Sequence, residues 1–224
     1  KDQGDGVRLP RIVDEAPVVL AADGQDRPNS DFYNISAQPY PLDPSWYVGF
    51  PSFFEREKSM IDGKTNVQFV GSRDGVLWHR YDRTPYVTRG EPGSETAGMA
   101  YICPNIIVKG DELWQYGTCY RGKHGDVGSR QEHTEGAIYR YTQRIDGFVS
   151  ADFGTTPGSI TTTPVEVDGS KLLLNVATSA GGELRVGLLD DQGKPIPGFT
   201  EGDCSVIQGD SIRSAVSWKS GSEL

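Results

Sequence analysis

The chain has 224 residues, with 22 basic and 31 acidic side chains, so its formal net charge at pH 7 is −9. Its basic residues are scattered, and such an acidic surface repels phosphate backbones, which argues against a nucleic-acid partner. No apolar run approaches the roughly 18 residues that a membrane-spanning helix needs. The sequence therefore predicts neither nucleic-acid binding nor a membrane span.

Glycine and proline punctuate the whole chain. The 28 glycines and 14 prolines recur about every 8 to 12 residues between short runs of β-branched and aromatic residues. An apolar helical stripe free of Gly and Pro has only one candidate location, around residues 53–60. The composition predicts an all-β fold.

The first half reads as a series of short strands. Residues 16–21 (APVVLA) predict a strand, and residues 30–40 (SDFYNISAQPY) and 46–54 (WYVGFPSFF) predict a hairpin. Residues 53–63 (FFEREKSMIDG) are charged and predict an exposed connection between strands.

An Asp-Gly turn marks the next hairpin. Residues 66–72 and 76–81 flank the turn at Asp74 and Gly75, a strong hairpin signal. The word SRDGVLW is similar to the Asp-box turn of propellers and sialidases, although it is one residue shorter. Asp74 is therefore expected to cap the turn and Trp78 to pack structurally.

Further strands and a long polar loop complete this half. Residues 121–136 form the loop, and a loop of this length in a compact β domain is more often functional than accidental. Its end contributes two weaker candidates, His133 and Glu135. The flanking predicted strands are residues 97–104, 105–110, 112–120 and 136–144.

The pattern changes after Phe148. Apolar and polar residues then alternate cleanly in residues 171–178, 182–190 and 211–218, as in a sheet with one face on the core. This change places a domain boundary between residues 1–145 and 146–224.

The cysteines offer no cofactor site. Cys103, Cys119 and Cys204 lack CxxC or Cys/His metal spacing, and no glycine-rich strand-to-helix turn suits a nucleotide. We expect no metal and no organic cofactor, with the three thiols buried or at most one disulfide.

Several segments in order resemble a known family. They are DFYNISAQPY, FVGSRDGVLWHRY, GSETAGMAY, KGDELWQYG followed by KHG, RIDGFVSAD, ITTTPVEVDGSKLLLNV and GELRVGLLDDQGKPIPGF, and together they cover roughly residues 16–224. They are similar to bacterial proteins with a five-bladed β-propeller related to glycoside hydrolase families 32 and 43, followed by a C-terminal β-sandwich.

The resemblance implies architecture, partners and location. Residues 1–145 would be the last blades of the propeller, partnered by an N-terminal remainder of the same propeller. Residues 146–224 would be a β-sandwich that is incomplete in this sequence. The longer protein that contains this chain would be a secreted protein, extracellular or periplasmic, that acts on a poly- or oligosaccharide.

Carboxylate chemistry selects the candidate catalytic residues. Hydrolysis of a glycosidic bond needs two carboxyl groups, one protonated and one ionised. Asp31 and Glu95 each precede an apparent inner strand and are the catalytic candidates, unless Asp31 only caps a strand-entry turn and Glu95 is a solvated loop acid. The main catalytic carboxylates could also lie outside this chain.

The other candidates would bind substrate. Tyr33 and Asn34 follow Asp31, and an aromatic beside a carboxylate suits a sugar ring. Arg121 and His124 could donate to an anionic sugar or a glycosidic oxygen. Asp31, Tyr33, Glu95 and His124 are expected to converge on one concavity, because inner strands of successive blades meet near the propeller axis.

Two functions remain open from the sequence. The chain is expected to belong to a glycoside hydrolase that uses carboxylate acid/base chemistry without a cofactor. The alternative is a non-catalytic carbohydrate-binding or scaffold propeller.

Overall fold

A computed structural model describes residues 16–125 and 136–223. These residues are all-β and contain no α-helix. A helix long and apolar enough to cross a membrane is therefore absent among them. The strands are β1 (Ser30–Tyr40), β2 (Asp43–Ser59), β3 (Asp62–Val67), β4 (Val70–Ser72), β5 (Trp78–His79), β6 (Met99–Ile102), β7 (Ile107–Lys109), β8 (Glu112–Tyr120), β9 (Gly136–Arg144), β10 (Leu173–Ala177) and β11 (Asp210–Ala215). The all-β prediction is confirmed. His133 and Glu135 lie outside the described residues.

The chain divides into two compact units. The first takes the described residues up to Lys109 and those between Leu113 and Thr142, and the second takes Gly110–Glu112 and the residues from Gln143 onward. This division at Gln143 lies within a few residues of Phe148, where the pattern of apolar and polar residues changes in the sequence.

The first unit is built on an open, mixed sheet. Its strand path is β5-β4-β2-β3-β6-β8-β7, with β1 paired to β2 and β9 paired to β8. Strands β1 to β5 pair antiparallel, and β6 and β8 do the same. One parallel pairing, Thr65 with Met99, joins these two groups. A partial propeller is not established by this sheet.

The predicted hairpin of residues 30–40 and 46–54 is confirmed by β1 and β2, which run antiparallel. The register slips between Phe32 and Asn34, so Tyr33 is the extra residue of a β-bulge. A bulge bends its strand and redirects a side chain. In this way β1 presents Tyr33 with 51% of its surface exposed.

Residues 53–63 do not form the expected connection. Strand β2 continues to Ser59 and β3 begins at Asp62, so this segment is a second hairpin. The pairing sets Glu55 opposite Lys64 and Phe54 opposite Thr65. Because opposite charges across a strand pair attract, a charged sequence is compatible with this hairpin. Residues 53–59 belong to β2, so the helix that the sequence allowed around residues 53–60 is absent.

The Asp-Gly turn is confirmed. Strands β4 and β5 pair through Ser72 and Trp78, and Asp74 Oδ1 accepts hydrogen bonds of 2.8 Å from the amides of Val76 and Leu77. The half-buried Trp78 donates its indole N–H to the Gly75 carbonyl at 3.0 Å. Both residues therefore have the structural roles that the sequence predicts.

Two other expectations are wrong. Residues 16–21 contain no strand, and Cys103 is exposed, although Cys119 and Cys204 are buried and all three thiols are free. Two valines of residues 16–21 are exposed, so the segment lacks the sheet neighbours that would satisfy a β-strand.

The second unit has its own core. Strands β10 and β11 pair antiparallel, and the buried cluster contains Cys204, Ile207, Val216 and Trp218. Residues 182–190 were expected to be a strand but make only isolated bridges, Leu184 with Ile207 and Leu189 with Pro195. The alternating pattern of these residues therefore packs against the cluster without a continuous ladder. A β-sandwich is not established by this unit.

Candidate functional site

Tyr33 and His124 form the centre of the candidate site. The Tyr33 hydroxyl lies 3.0 Å from His124 Nε2, and His124 Nδ1 lies 2.8 Å from the Ile61 carbonyl oxygen. A carbonyl only accepts, so Nδ1 must carry a proton and Nε2 of the neutral ring accepts from Tyr33. The phenol oxygen keeps its lone pairs for another donor.

Aromatic rings support Tyr33. Its ring centroid lies 5.9 Å from Phe54, 6.2 Å from Tyr101 and 5.2 Å from His124. Phe54 is 3% exposed, whereas Tyr33 is 51% exposed. The buried ring of Phe54 and the half-buried rings of Tyr101 and His124 therefore hold Tyr33 in place while about half of its surface faces solvent, as a stacking platform for an apolar sugar face requires.

Asp31 joins this cluster through Arg56. The Arg56 guanidinium forms an ion pair with Asp31 and lies over the Phe54 ring, 5.6 Å from its centroid. Its Nε also donates to the Met60 carbonyl. A charged acid and a charged base thus lie beside the aromatic rings. Asn34, exposed and opposite Ser52, is the next residue along the strand.

A short segment brings His124 to Tyr33. Its neighbour Lys123 binds Asp62 at 2.6 Å and Glu57 at 2.9 Å, both at the tip of the β2–β3 hairpin. The hydrogen bond to Asp62 has the larger effect and the one to Glu57 the smaller, and both raise the pKa of Lys123. Lys123 in turn lowers the pKa of each carboxyl group. The segment is therefore fixed to the hairpin tip by charge as well as by His124.

Glu95 lies on a different part of the site. Its carboxylate is 74% exposed and lies 3.7 Å from Arg121. Close by, the backbone at Gly98 packs directly against that of Gly122, because a Cβ at Gly98 would collide with the Gly122 carbonyl. Glu95 is placed against the residues that precede Lys123 and His124.

A cleft of about 520 Å³ lies in the same unit. Its lining contains four basic residues and no acidic one, and the rest is Asn66 with small or neutral residues. The basic residues are Lys64, Arg89, Arg121 and Lys123. Each of these four cations has a carboxylate partner among the described residues, so an anion that enters the cleft competes with these carboxylates for the basic side chains.

The structure brings the predicted residues together unequally. Tyr33 and His124 are hydrogen-bonded, Asp31 reaches their cluster through Arg56, and Arg121 lines the cleft with Glu95 beside it. Sequence reasoning missed Arg56, Lys123 and the cleft. Lys123 adjoins His124 in a loop already considered functional, so the local charge was a usable signal, whereas Arg56 had none.

No group of three or more His, Cys, Asp and Glu residues lies close enough to hold a metal ion in the part of the chain that the structure describes. No protein-family model matches the chain, and no curated protein or solved structure is significantly similar to it.

Proposed function

We propose that this protein binds a saccharide, with Tyr33 as the stacking platform. The observation that carries the proposal is the half-exposed Tyr33 ring, which a β-bulge and three neighbouring rings hold beside Asp31, Arg56 and His124. An aromatic face surrounded by a few fixed polar groups matches the chemistry of a sugar ring, which has apolar C–H faces and hydroxyls at its edge.

Binding is favoured over hydrolysis by the environment of Glu95. The general acid of a glycosidase keeps its proton because its surroundings disfavour the charge. Glu95 is 74% exposed and lies 3.7 Å from Arg121, so it is not in the enclosed surroundings that such a group needs. We therefore assign Asp31 and Glu95 to hydrogen bonding with the ligand, and the glycoside hydrolase becomes the second candidate.

The proposal extends to architecture and location. The two antiparallel groups of strands in the first unit would be blades of a propeller, and the second unit would be part of a β-sandwich. The Asp74 turn and the resemblance to secreted bacterial carbohydrate-active proteins support this arrangement. An extracellular or periplasmic location follows from the same resemblance.

A panel of neutral and acidic oligosaccharides tests the function. We expect at least one to bind the full chain in isothermal titration calorimetry, and Tyr33→Ala to weaken that binding about five- to tenfold through loss of stacking. Tyr81→Ala is the matched control, because Tyr81 is also exposed, at 54%, but stacks on His79 instead. Its affinity should equal that of the parent.

Two results would reject the proposal. Absence of binding across the panel would remove the function itself, and equal losses in Tyr33→Ala and Tyr81→Ala would remove the assigned site. Release of reducing sugar by the parent, abolished in Asp31→Asn, would replace binding by hydrolysis.

A further inference from the structure

The four basic residues of the cleft are not equally committed to carboxylate partners. Lys123 lies 2.6 Å from Asp62, and Arg89 Nη1 lies 2.9 Å from Glu55. Lys64 and Arg121 are held more loosely, 3.4 Å from Glu57 and 3.7 Å from Glu95. The first two therefore fix the walls of the cleft, and the last two keep donors for a ligand.

Arg121 has the clearest unused capacity. Its Nε is buried and has no hydrogen-bond partner among the described residues. That atom has almost no accessible surface, so an anion in the cleft would be bound by the exposed part of the Arg121 side chain, which is 34% exposed. Its only ion-pair partner in the described ranges, Glu95, is 74% exposed and separated by 3.7 Å, and a ligand anion could displace it.

The neighbouring groups define what kind of anion fits. Arg121 presents a planar fork of donors that matches carboxylate and sulfate oxygens, and Lys64 adds a point charge. The amide side chain of Asn66 is also in the lining. A cleft of about 520 Å³ admits a sugar-sized group and not only an ion.

We propose that this cleft is an anion site in which Arg121 and Lys64 bind a carboxylate or sulfate group. That the group is carried by a saccharide rests on the proposed function; the anion site itself does not. The ligand class is therefore an acidic oligosaccharide, either a uronate or a sulfated sugar, whose acidic group occupies the cleft.

Inorganic sulfate tests the anion site directly. Sulfate is titrated into isotopically labelled full chain at constant ionic strength, and the amide resonances of Gly98, Arg121 and Lys123 are followed by NMR. We expect saturable shifts, and we expect Arg121→Gln to weaken the sulfate affinity derived from them about tenfold or more, because a hydrogen bond to a charged group is lost. Lys64→Gln should weaken this affinity as well.

Arg73→Gln is the matched control. It removes the same charge from an exposed arginine that stacks on Trp46 and does not line the cleft. Shifts that do not saturate, or that fall equally in Arg121→Gln and Arg73→Gln, would overturn the proposal, because sulfate would then report only general charge.

Paired glycans identify the source of the anion. Oligogalacturonate is compared with its methyl ester, and a sulfated oligosaccharide with its desulfated form, by calorimetry. Preference for one acidic member, lost in Arg121→Gln, supports the acidic saccharide and tells uronate from sulfate. Equal binding of the acidic and neutral glycans of a pair overturns the proposal that the ligand is acidic, while the proposed function stands. Absence of all glycan binding overturns the proposed function, and the sulfate titration then decides the anion site alone.

Discussion

The carboxylate of Asp26 lies between two arginines. It accepts hydrogen bonds from both terminal nitrogens of Arg80, at 2.7 and 2.6 Å, and from Arg83 at 2.9 Å. The side chains of Asp26 and Arg80 are 4% and 5% exposed. Arg80, first among several causes, lowers the pKa of Asp26 well below its ordinary range. Asp26 and Arg80 thus form a buried ion pair in the first unit, and the partly exposed Arg83 extends it into a network of three charged side chains.

Removing the charge of Asp26 should destabilise the protein. Asp26→Asn leaves the buried Arg80 with only the exposed carboxylate of Asp23, 3.9 Å away, as a counter-ion, and breaking a buried ion pair costs about 3–5 kcal/mol of unfolding free energy. Urea denaturation at pH 7 measures this loss, and the exposed Asp191→Asn should change little. A midpoint equal to that of the parent would show that the network adds no stability. If Asp26→Asn fails to fold, Arg83→Gln provides a milder version of the same test.

The same carboxyl group predicts acid sensitivity. Its pKa is lower in the folded state than in the unfolded chain, so its contribution is complete above the unfolded value of about 3.9. That contribution decreases as the pH falls from there through the folded pKa. We expect denaturation series between about pH 5 and pH 2 to show a steeper loss of stability in the parent than in Asp26→Asn. Parallel curves for the two proteins would refute the assignment.

At the scale of elements, the β4–β5 hairpin depends on the backbone of one residue. Gly75 adopts a φ of +73°, and a Cβ there would meet no atom closer than 4.0 Å. Space is therefore not limiting, and the left-handed conformation alone decides which residues are tolerated.

Gly75→Ala should cost about 1–2 kcal/mol of unfolding free energy, because an L-residue is strained in this region. Gly75→Asn is the control, since asparagine tolerates a positive φ better than alanine, and it should recover part of the loss. Thermal and urea denaturation measure both variants. If Ala and Asn were equally harmless, the turn would have to adopt another conformation in solution.

At the scale of the whole molecule, each unit has a separate set of buried residues. In the second unit, Trp218 is 3% exposed, donates to the Val186 carbonyl at 2.9 Å and packs on Phe199 with centroids 5.3 Å apart. All members of the Trp218 cluster belong to this unit. Trp218 is therefore the largest side chain of a small core with few strands to support it.

Trp218→Ala should lower the stability of the second unit by about 3–5 kcal/mol, as expected for a large buried aromatic. Hydrogen exchange of the Leu184 and Ile207 amides, which bond to each other's carbonyls, reports the loss locally. Trp218→Phe retains an apolar ring and should be affected less. Unchanged exchange at both amides in Trp218→Ala would mean that the cluster does not stabilise this unit.

Local chemistry explains which features could be predicted. The Asp74 turn and the β1–β2 hairpin depend on neighbouring residues, so alternation and turn residues were sufficient for them. The prediction of an exposed connection at residues 53–63 was wrong because their charges imply exposure, whereas Glu55 lies opposite Lys64 in a strand pair. Residues 182–190 alternate like a strand but find only isolated bridge partners.

The sequence by itself determined the all-β class, the turn at Asp74 and Gly75, and the candidacy of Tyr33 and His124. The fold class and the turn follow from composition, spacing and short-range backbone preferences, and the candidacy of Tyr33 and His124 follows from the resemblance of their segments to propeller proteins. Only the tertiary structure decided that Tyr33 and His124 share a hydrogen bond, that Asp31 pairs with Arg56, and that Lys64 and Arg121 line one cleft. Each of these joins residues far apart in the chain, and such contacts are set by strand register and packing between strands, which one sequence read locally does not contain.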